Sequence, residues 1–293
     1  MVEGGVRDLR AALLRWGARE GRELPWRGTR DPWAVLVSEV MLQQTQVARV
    51  VERWPRFLEQ WPTPGTCASA ELADLLGFWQ GLGYPRRVRN LWRAARVMVE
   101  EHDGCVPRCL DDLLRLPGVG PYTARAVLVF AFEDDIGMVD TNVGRILARW
   151  SGAPLTPAAA QRMADEMVPA GRAWHWGQAL FDLGAAVCAR RDPQCDRCPV
   201  AGCCRWALAG RPSPDPAQGS AAVGRAQPQF EGSNRQARGR ILKALDASPV
   251  DQADVAALVG IDDADRLGAI VDGLVADGLV SRMGRRLTLG EEP

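Results

Sequence analysis

Leu116-Pro117-Gly118-Val119-Gly120-Pro121-Tyr122-Thr123-Ala124 is the stretch whose reading decides the fold, together with Val139-Asp140-Thr141-Asn142-Val143 about twenty residues on. Leu110, Leu113 and Leu114 give the residues before it a helical apolar spacing, and Thr123 to Phe132 reads as a strongly apolar second helix. Two helices joined by Pro-Gly-Val-Gly predict a tight hairpin, because glycine adopts backbone angles that other residues resist. Backbone N–H groups exposed at such a turn, beside a helix N-terminus, form a seat for phosphate. Asp140 then stands where an N-cap would open the next helix. On composition alone the phrase also fits an ordinary glycine-rich turn with an Asp cap.

The 293 residues suffice for one large or two modest domains with a real core. No run of eighteen apolar residues occurs and the N-terminus lacks a basic-then-apolar signal, so a soluble cytoplasmic protein with no membrane association is expected. Formal net charge is zero, with 36 basic and 36 acidic residues, which excludes binding of polyanions by global charge. Any nucleic-acid face must be local. Lys243 is the only lysine, so a lysine Schiff base would have to come from a C-terminal helix far along the chain from every motif.

Before the hairpin, Val6–Glu20 reads as a helix and Leu24-Pro25-Trp26-Arg27 as a loop able to pack or to touch a base and a phosphate. In Pro32 to Val47, Glu39 interrupts an otherwise apolar helix. A carboxyl there is either paired or desolvated with a raised pKa, and in the second case can donate a proton near neutrality. Gln43, Gln44 and Thr45 end that helix with groups suited to base edges. Gly81-Leu82-Gly83-Tyr84-Pro85 is a turn with one aliphatic and one aromatic residue, either a wedge for a base stack or an inward-packed helix start. Arg86–Glu101 follows as a basic amphipathic helix. The two histidines, His102 and His175, are isolated, and Cys67, Cys105 and Cys109 have no ligand spacing; all read as structural or surface groups.

After it, helices are expected around Gly144–Trp150, Pro157–Met167 and Trp176–Val187. Then come Cys188, Cys195, Cys198 and Cys204, four cysteines within seventeen residues, a pattern for thiolate ligation of one metal centre, with zinc the default. Cys203 is an alternative fourth ligand. Residues 211–233 are Pro-, Gly-, Ala- and Gln-rich without periodicity and read as a linker. In 234–293, three helices (Arg235–Asp246, Gln252–Leu258, Asp263–Asp277) and a hairpin over Leu279–Leu289 give a winged-helix-like order. Its third helix is acidic and poorly suited to the major groove, which favours a packing or interaction module.

These phrases together resemble the MutY-type adenine DNA glycosylases of the helix-hairpin-helix, iron–sulfur superfamily. The likeness spans residues 24–204 and rests on Leu24–Arg27, the Ser38-Glu39-Val40-Met41-Leu42-Gln43-Gln44-Thr45 phrase, Gly81–Tyr84, the hairpin, Val139–Val143 and the cysteine loop. It implies an all-α fold with residues 29–134 in a helical barrel. Residues 1–28 and 135–210 would form a cluster domain, and the active cleft would lie between them. It implies one [4Fe–4S] cluster on Cys188, Cys195, Cys198 and Cys204, Cys204 being preferred because it keeps the family's five-residue gap. The activity implied is removal of adenine mispaired with 8-oxoguanine or guanine from double-stranded DNA, by a monomer in a bacterial cytoplasm. Glu39 would protonate the flipped adenine and Asp140 stabilise the oxocarbenium ion, supported by Tyr122 and Asn142. Gln43, Gln44, Thr45, Leu82 and Tyr84 would read the opposite base and fill the gap, and Arg27 and Gln178 would lie near the adenine. Gly118, Val119 and Gly120 would hold a phosphate, directly or through a monovalent or divalent cation. Tyr122 stands where related lyases carry lysine, so a monofunctional enzyme is expected. Thr141 replaces a glycine common in relatives. The C-terminal sixty residues are too short and too helical for the family's Nudix-like domain, as in actinobacterial forms. Competing readings are a thymine or uracil mismatch glycosylase of the same superfamily and a non-catalytic DNA-binding scaffold.

Overall fold

In the computed structural model, which describes residues 3–220 and 229–290, the chain is mostly helical. The helices run α1 (Glu3–Glu20), α2 (Pro32–Leu42), α3 (Val47–Gln60), α4 (Pro64–Ala68), α5 (Leu72–Phe78), α6 (Arg86–Glu101), α7 (Leu110–Arg115) and α8 (Pro121–Phe132). They continue as α9 (Thr141–Ser151), α10 (Pro157–Met167), α11 (Ala173–Ala186), α12 (Arg205–Leu208) and α13 (Asn234–Ala247). After a two-residue strand β1 (Val250–Asp251) come α14 (Val255–Val259), α15 (Ala264–Ala276), β2 (Val280–Met283) and β3 (Arg286–Leu289). No helix among the described residues is long and apolar enough to cross a membrane.

Contacts divide the chain into two compact units, residues 1–35 with 119–226 and residues 36–118 with 227–293. The division falls inside α2 and inside the hairpin turn. In the first unit, α1 lies along α11 so closely that a Cβ on Gly17 would stand 2.6 Å from that of Ala179. Leu9, Leu13, Ile146, Leu147, Trp150, Trp176 and Leu183 form its core. The α8 helix is apolar on nearly every side, with Ala124 and Ala126–Ala131 buried, and it packs on α11. Arg10 closes the end of α10 by donating to the carbonyls of Met167 (3.0 Å) and Glu166 (2.5 Å), which the helix itself leaves unpaired.

Residues 211–220, within the stretch expected as a linker, are packed on this unit. Asp215 pairs with the buried Arg149 at 2.7 Å, and Ser220 Oγ accepts from Leu155 N at 3.1 Å. Proline and glycine hide such a segment from a periodicity reading, because irregular backbone held by side chains has no period. Residues 221–228, the middle of that expected linker, lie outside the described residues.

In the second unit, α3 buries Val50, Trp54 and Phe57 at helical spacing. Phe57 meets Trp61 and Phe78 with centroids 4.9 and 5.5 Å apart, the tilted and edge-on geometry that aromatic quadrupoles favour. The α5 and α6 helices pack together. The C-terminal residues are not a compact unit of their own: α13 lies on α5, with the Asp246 carboxylate over Gly77 and Gly290 against Ala73. Their three strands form one antiparallel sheet in the order β1-β3-β2. A two-residue turn joins β2 to β3, with Gly284 at φ +62°. The acids of α15 serve local structure: Asp263 N-caps the helix, and Asp277 accepts from Arg86 and Arg238.

Arg87 is the hub of the second unit. It is 8% exposed, and burial lowers its pKa to about 10, so it stays charged at neutrality. Its Nη1 donates to the carbonyls of Val40 (2.8 Å), Met41 (2.9 Å) and Gln43 (2.6 Å). Its Nη2 donates to Thr45 Oγ1 (2.9 Å) and to the carbonyls of Leu82 (2.9 Å) and Gly83 (2.8 Å). Replacing Arg87 by Met would strand several buried acceptors, at about 1–3 kcal/mol for each left unsatisfied. We expect R87M to lose at least about 3 kcal/mol of stability, read as a lower urea midpoint, and R87K to rescue only part, because an ammonium cannot span both loops.

Candidate active site and nucleic-acid interface

Gly118 has φ +79°, and a Cβ there would stand 2.7 Å from Cβ of Asn90 on α6, so both conformation and space demand glycine. Gly120 is extended and open, with ψ 177° as N-cap of α8, and Pro121 occupies the first helical position, where its missing N–H costs nothing. Val119 is 7% exposed. Tyr122, one residue into α8, is half-buried and leans on Phe181 with centroids 6.4 Å apart.

Asp140 is the N-cap of α9. Its Oδ1 accepts from Val143 N at 2.7 Å and its Oδ2 from Asn142 Nδ2 at 2.9 Å. Asn142 is itself fixed, since its Oδ1 accepts from Arg145 Nη2 at 2.9 Å and its Cβ packs where a Gly184 side chain would stand. Arg145, 6% exposed, also donates to the carbonyls of Gly184 and Cys188, both at 2.7 Å. Burial pushes the Asp140 carboxyl above the usual carboxylate range. The bonds from Val143 and Asn142, and the charge of Arg145, act against that rise. One chain of hydrogen bonds therefore runs from Asp140 through Asn142 and Arg145 to the backbone of the first cysteine.

Glu39 lies in the second unit at 5% exposure, on the face of α2 flanked by buried Leu36, Val40 and Met41. Arg87 holds the end of that helix against the turn carrying Tyr84. Gln43 is half-buried and Gln44 exposed, and Thr45 Oγ1 lies 3.2 Å from the Leu82 carbonyl. Leu82 is not a projecting tip, because at 4% exposure its side chain is packed inward; Tyr84 is half-buried. Gln44 and Tyr84 both hold left-handed backbone, φ 57° and 50°, as do Asp103, Glu133, Asp192 and Arg211.

In the first unit, Arg27 and Gln178 line one cavity of about 420 Å³. Arg27 is locked by a fork of two 2.9 Å bonds onto Asp182, which is 2% exposed and also pairs with Arg22 at 2.6 Å. Asp182 had no sequence signal beyond being a carboxylate on an apolar helix face.

Cys188, Cys195, Cys198 and Cys204 line one small hollow of about 20 Å³, walled by Trp150, Leu183, Val187 and Trp206; Cys203 does not line it. All eight cysteines are free thiols. Burial pushes the Cys198 thiol up to about 12 and that of Cys204 upward, and the neighbouring cysteines add to the rise. Arg149, 1% exposed, donates to Cys188 Sγ at 3.2 Å and to the Ala189 carbonyl at 2.8 Å, and lies 4.8 Å over the Trp206 ring. Its partner Asp215 was missed in the sequence because it sits in a segment that reads as linker. The four soft donors line one apolar hollow, although among the described residues no three His, Cys, Asp or Glu side chains are drawn together closely enough to hold a single metal ion.

Residues 37–170 match the family described as HhH-GPD superfamily base excision DNA repair protein. The adenine DNA glycosylase of Mycobacterium tuberculosis is 42% identical over 279 residues, covering 92% of this chain and 89% of that protein. That of Mycolicibacterium smegmatis is 41% identical over 288 residues, 95% of each. The Homo sapiens protein of the same name is 41% identical over 215 residues, 68% of this chain and 39% of its own length. Among solved structures, a thermostable thymine-DNA glycosylase superposes with TM-score 0.68 at 28% identity, over 70% of this chain and 98% of its own. A trapped endonuclease III–DNA intermediate gives 0.64 at 24% identity, over 72% and 100%, a likeness of fold alone. Because relatives of that name at 41–42% identity cover 92% and 95% of its length, this chain belongs to the adenine DNA glycosylase family of the HhH-GPD superfamily.

Proposed function

We propose that the protein is a monofunctional glycosylase that hydrolyses the N-glycosyl bond of adenine mispaired with 8-oxoguanine or guanine in double-stranded DNA. The observation that carries this reading is the setting of Asp140, a desolvated carboxyl at a helix N-terminus, oriented by Asn142 and Val143. Such a group faces a developing cation well, since it is fixed beforehand and needs no reorganisation. Glu39, buried on α2, donates its proton to N7 of the extruded adenine. The glycosidic bond then breaks with its electron pair moving onto N9 of the protonated base, which leaves neutral; Asp140 stabilises the oxocarbenium ion, and water adds to the sugar carbon and gives up a proton to the Glu39 carboxylate. Tyr122 and Asn142 support Asp140, and Arg27 and Gln178 adjoin the base. The hairpin amides of Gly118, Val119 and Gly120 hold a phosphate, directly or through a cation. No lysine stands near these motifs in the chain, in keeping with hydrolysis in place of lyase chemistry.

Cys188, Cys195, Cys198 and Cys204 would hold one [4Fe–4S] cluster, which would cross-link the loop through four thiolate bonds. Arg149 donates to the first of these sulfurs, and Asp215 keeps its guanidinium in place. The protein acts as a monomer in the bacterial cytoplasm. A thymine or uracil mismatch glycosylase is the second reading, favoured by the superposition on a thymine-DNA glycosylase.

Single-turnover base release decides between them. Adenine should leave duplexes in which it faces 8-oxoguanine or guanine, and D140N should slow that by at least about a thousandfold while DNA binding persists. Release of thymine or uracil opposite guanine, with adenine retained, would overturn the adenine assignment. The acid limb of the pH–rate profile should lie above the ordinary aspartate pKa of about 3.9, because Asp140 must be ionised and burial opposes that. N142A removes a hydrogen bond that favours the charged form and should move the limb further upward. Anaerobically purified protein should contain iron and acid-labile sulfide. C204S should lose them and C203S should keep them.

A further inference from the structure

Two of the cysteines that no motif claimed share one place on the surface of the second unit. Cys105 and Cys109 stand on the segment between α6 and α7. Both are exposed free thiols, and both line one surface hollow of about 660 Å³, together with His102, Asp103, Arg108 and Asp112. The local backbone explains the arrangement. The chain bends at Cys105 and again at Arg108 and Cys109, while Val106 and Pro107 between them are buried. An apolar pair tucked under the surface leaves the residues on either side of it facing water. Neither thiol is tied into the fold. The Cys105 Sγ makes only a weak contact with the Asp103 carbonyl, at 3.8 Å, and the Cys109 thiol does not cap α7 although Cys109 is its N-cap residue. Cys67, the remaining cysteine of this unit, is the opposite case: it is fully buried, and burial pushes its thiol up to about 12.

A disulfide requires its two Cα atoms to lie about 4.4–6.8 Å apart. A stretch of five residues that bends at both ends is short enough to meet that requirement with local adjustment alone. We propose that Cys105 and Cys109 form a modification site, a dithiol that hydrogen peroxide converts reversibly to an intramolecular disulfide. One thiolate attacks a peroxide oxygen, the O–O bond breaks, and a sulfenic acid forms with release of water. The second thiolate attacks that sulfur, the S–S bond forms, and the sulfenic oxygen leaves as a second water after taking up a proton. Two thiols thus give up two electrons and two protons, and one peroxide is reduced to two waters. A resolving thiol within reach is what diverts a sulfenic acid to a disulfide before it climbs to the irreversible acids. The bond closes at the entry to α7, the first helix of the hairpin, and none of the groups assigned to base release takes part in it. Cys67 stands outside this chemistry, because a buried thiol that resists ionisation neither meets the oxidant nor attacks it.

The test uses the full-length protein, purified anaerobically and treated with hydrogen peroxide, after which the remaining thiols are alkylated in denaturant. Trypsin cuts after Arg108, so the peptides Val97–Arg108 and Cys109–Arg115 stay together only where a disulfide joins them. The expected result is a joined pair of peptides lighter by two hydrogens than their sum, from protein that runs at single-chain size on a non-reducing denaturing gel. Dithiothreitol should separate the pair, C105S and C109S should each abolish it, and Cys67 should remain open to alkylation throughout. Thiols at Cys105 and Cys109 that stay fully alkylatable at a peroxide concentration that oxidises free cysteine would overturn the proposal. Separate oxidation of the two to sulfinic or sulfonic acids would do the same. Joined peptides found only in chains cross-linked to a second copy would place the bond between molecules and overturn the intramolecular site.

Discussion

Arg87 donates from its two terminal nitrogens to five backbone carbonyls and the Thr45 hydroxyl, and by doing so fixes the end of α2 to the turn that carries Tyr84. The physical problem it solves is general. A helix ends with carbonyls that have no partner in the helix, and a buried carbonyl without a donor is costly. A guanidinium, planar and rich in donors, can meet several at once, whereas an ammonium cannot. The same device recurs in the first unit. Arg145 joins Asn142, Gly184 and Cys188, and Arg149 joins Cys188, Ala189 and Asp215. In a chain with a single lysine, the end of α2, the start of α9 and the cysteine loop are held by buried arginines.

Each of these clamps imposes its own requirement for charge balance. Arg149 finds Asp215, and Arg27 finds Asp182 with a two-pronged geometry. Arg87 relies on carbonyl dipoles and the Thr45 hydroxyl, and its depressed pKa is the expected sign of that desolvation. Asp140 is the complementary case. Its burial works against ionisation while a helix N-terminus and two hydrogen bonds work for it.

The C-terminal residues show how composition can mislead about organisation. Their pattern of three helices and a hairpin reads as a module set apart by a linker. Yet α13 lies on α5, Asp277 reaches Arg86, and the compact unit includes residues 36–118. Likewise the Pro- and Gly-rich run after Gly210 begins as a strap over the cysteine loop, held by Asp215 and Ser220. Sequence periodicity reports which residues face a core. It says little about irregular backbone fixed by side chains, or about which core a surface helix joins.

The sequence by itself determined the helices, the glycine turn between α7 and α8, the cysteine spacing and the family, because these depend on local periodicity, on φ at Gly118 and on motifs of fixed spacing. It also marked Glu39 and Asp140, since a carboxyl in an apolar run and an N-cap before a helix are local signals. Only the tertiary structure decided that Cys204 and not Cys203 lines the hollow, that Leu82 packs inward, and that Asp182 and Asp215 anchor Arg27 and Arg149. Each of those outcomes depends on partners distant along the chain. Whether a buried charge is satisfied depends on what the fold brings within about 3 Å of it, and sequence distance carries no such information.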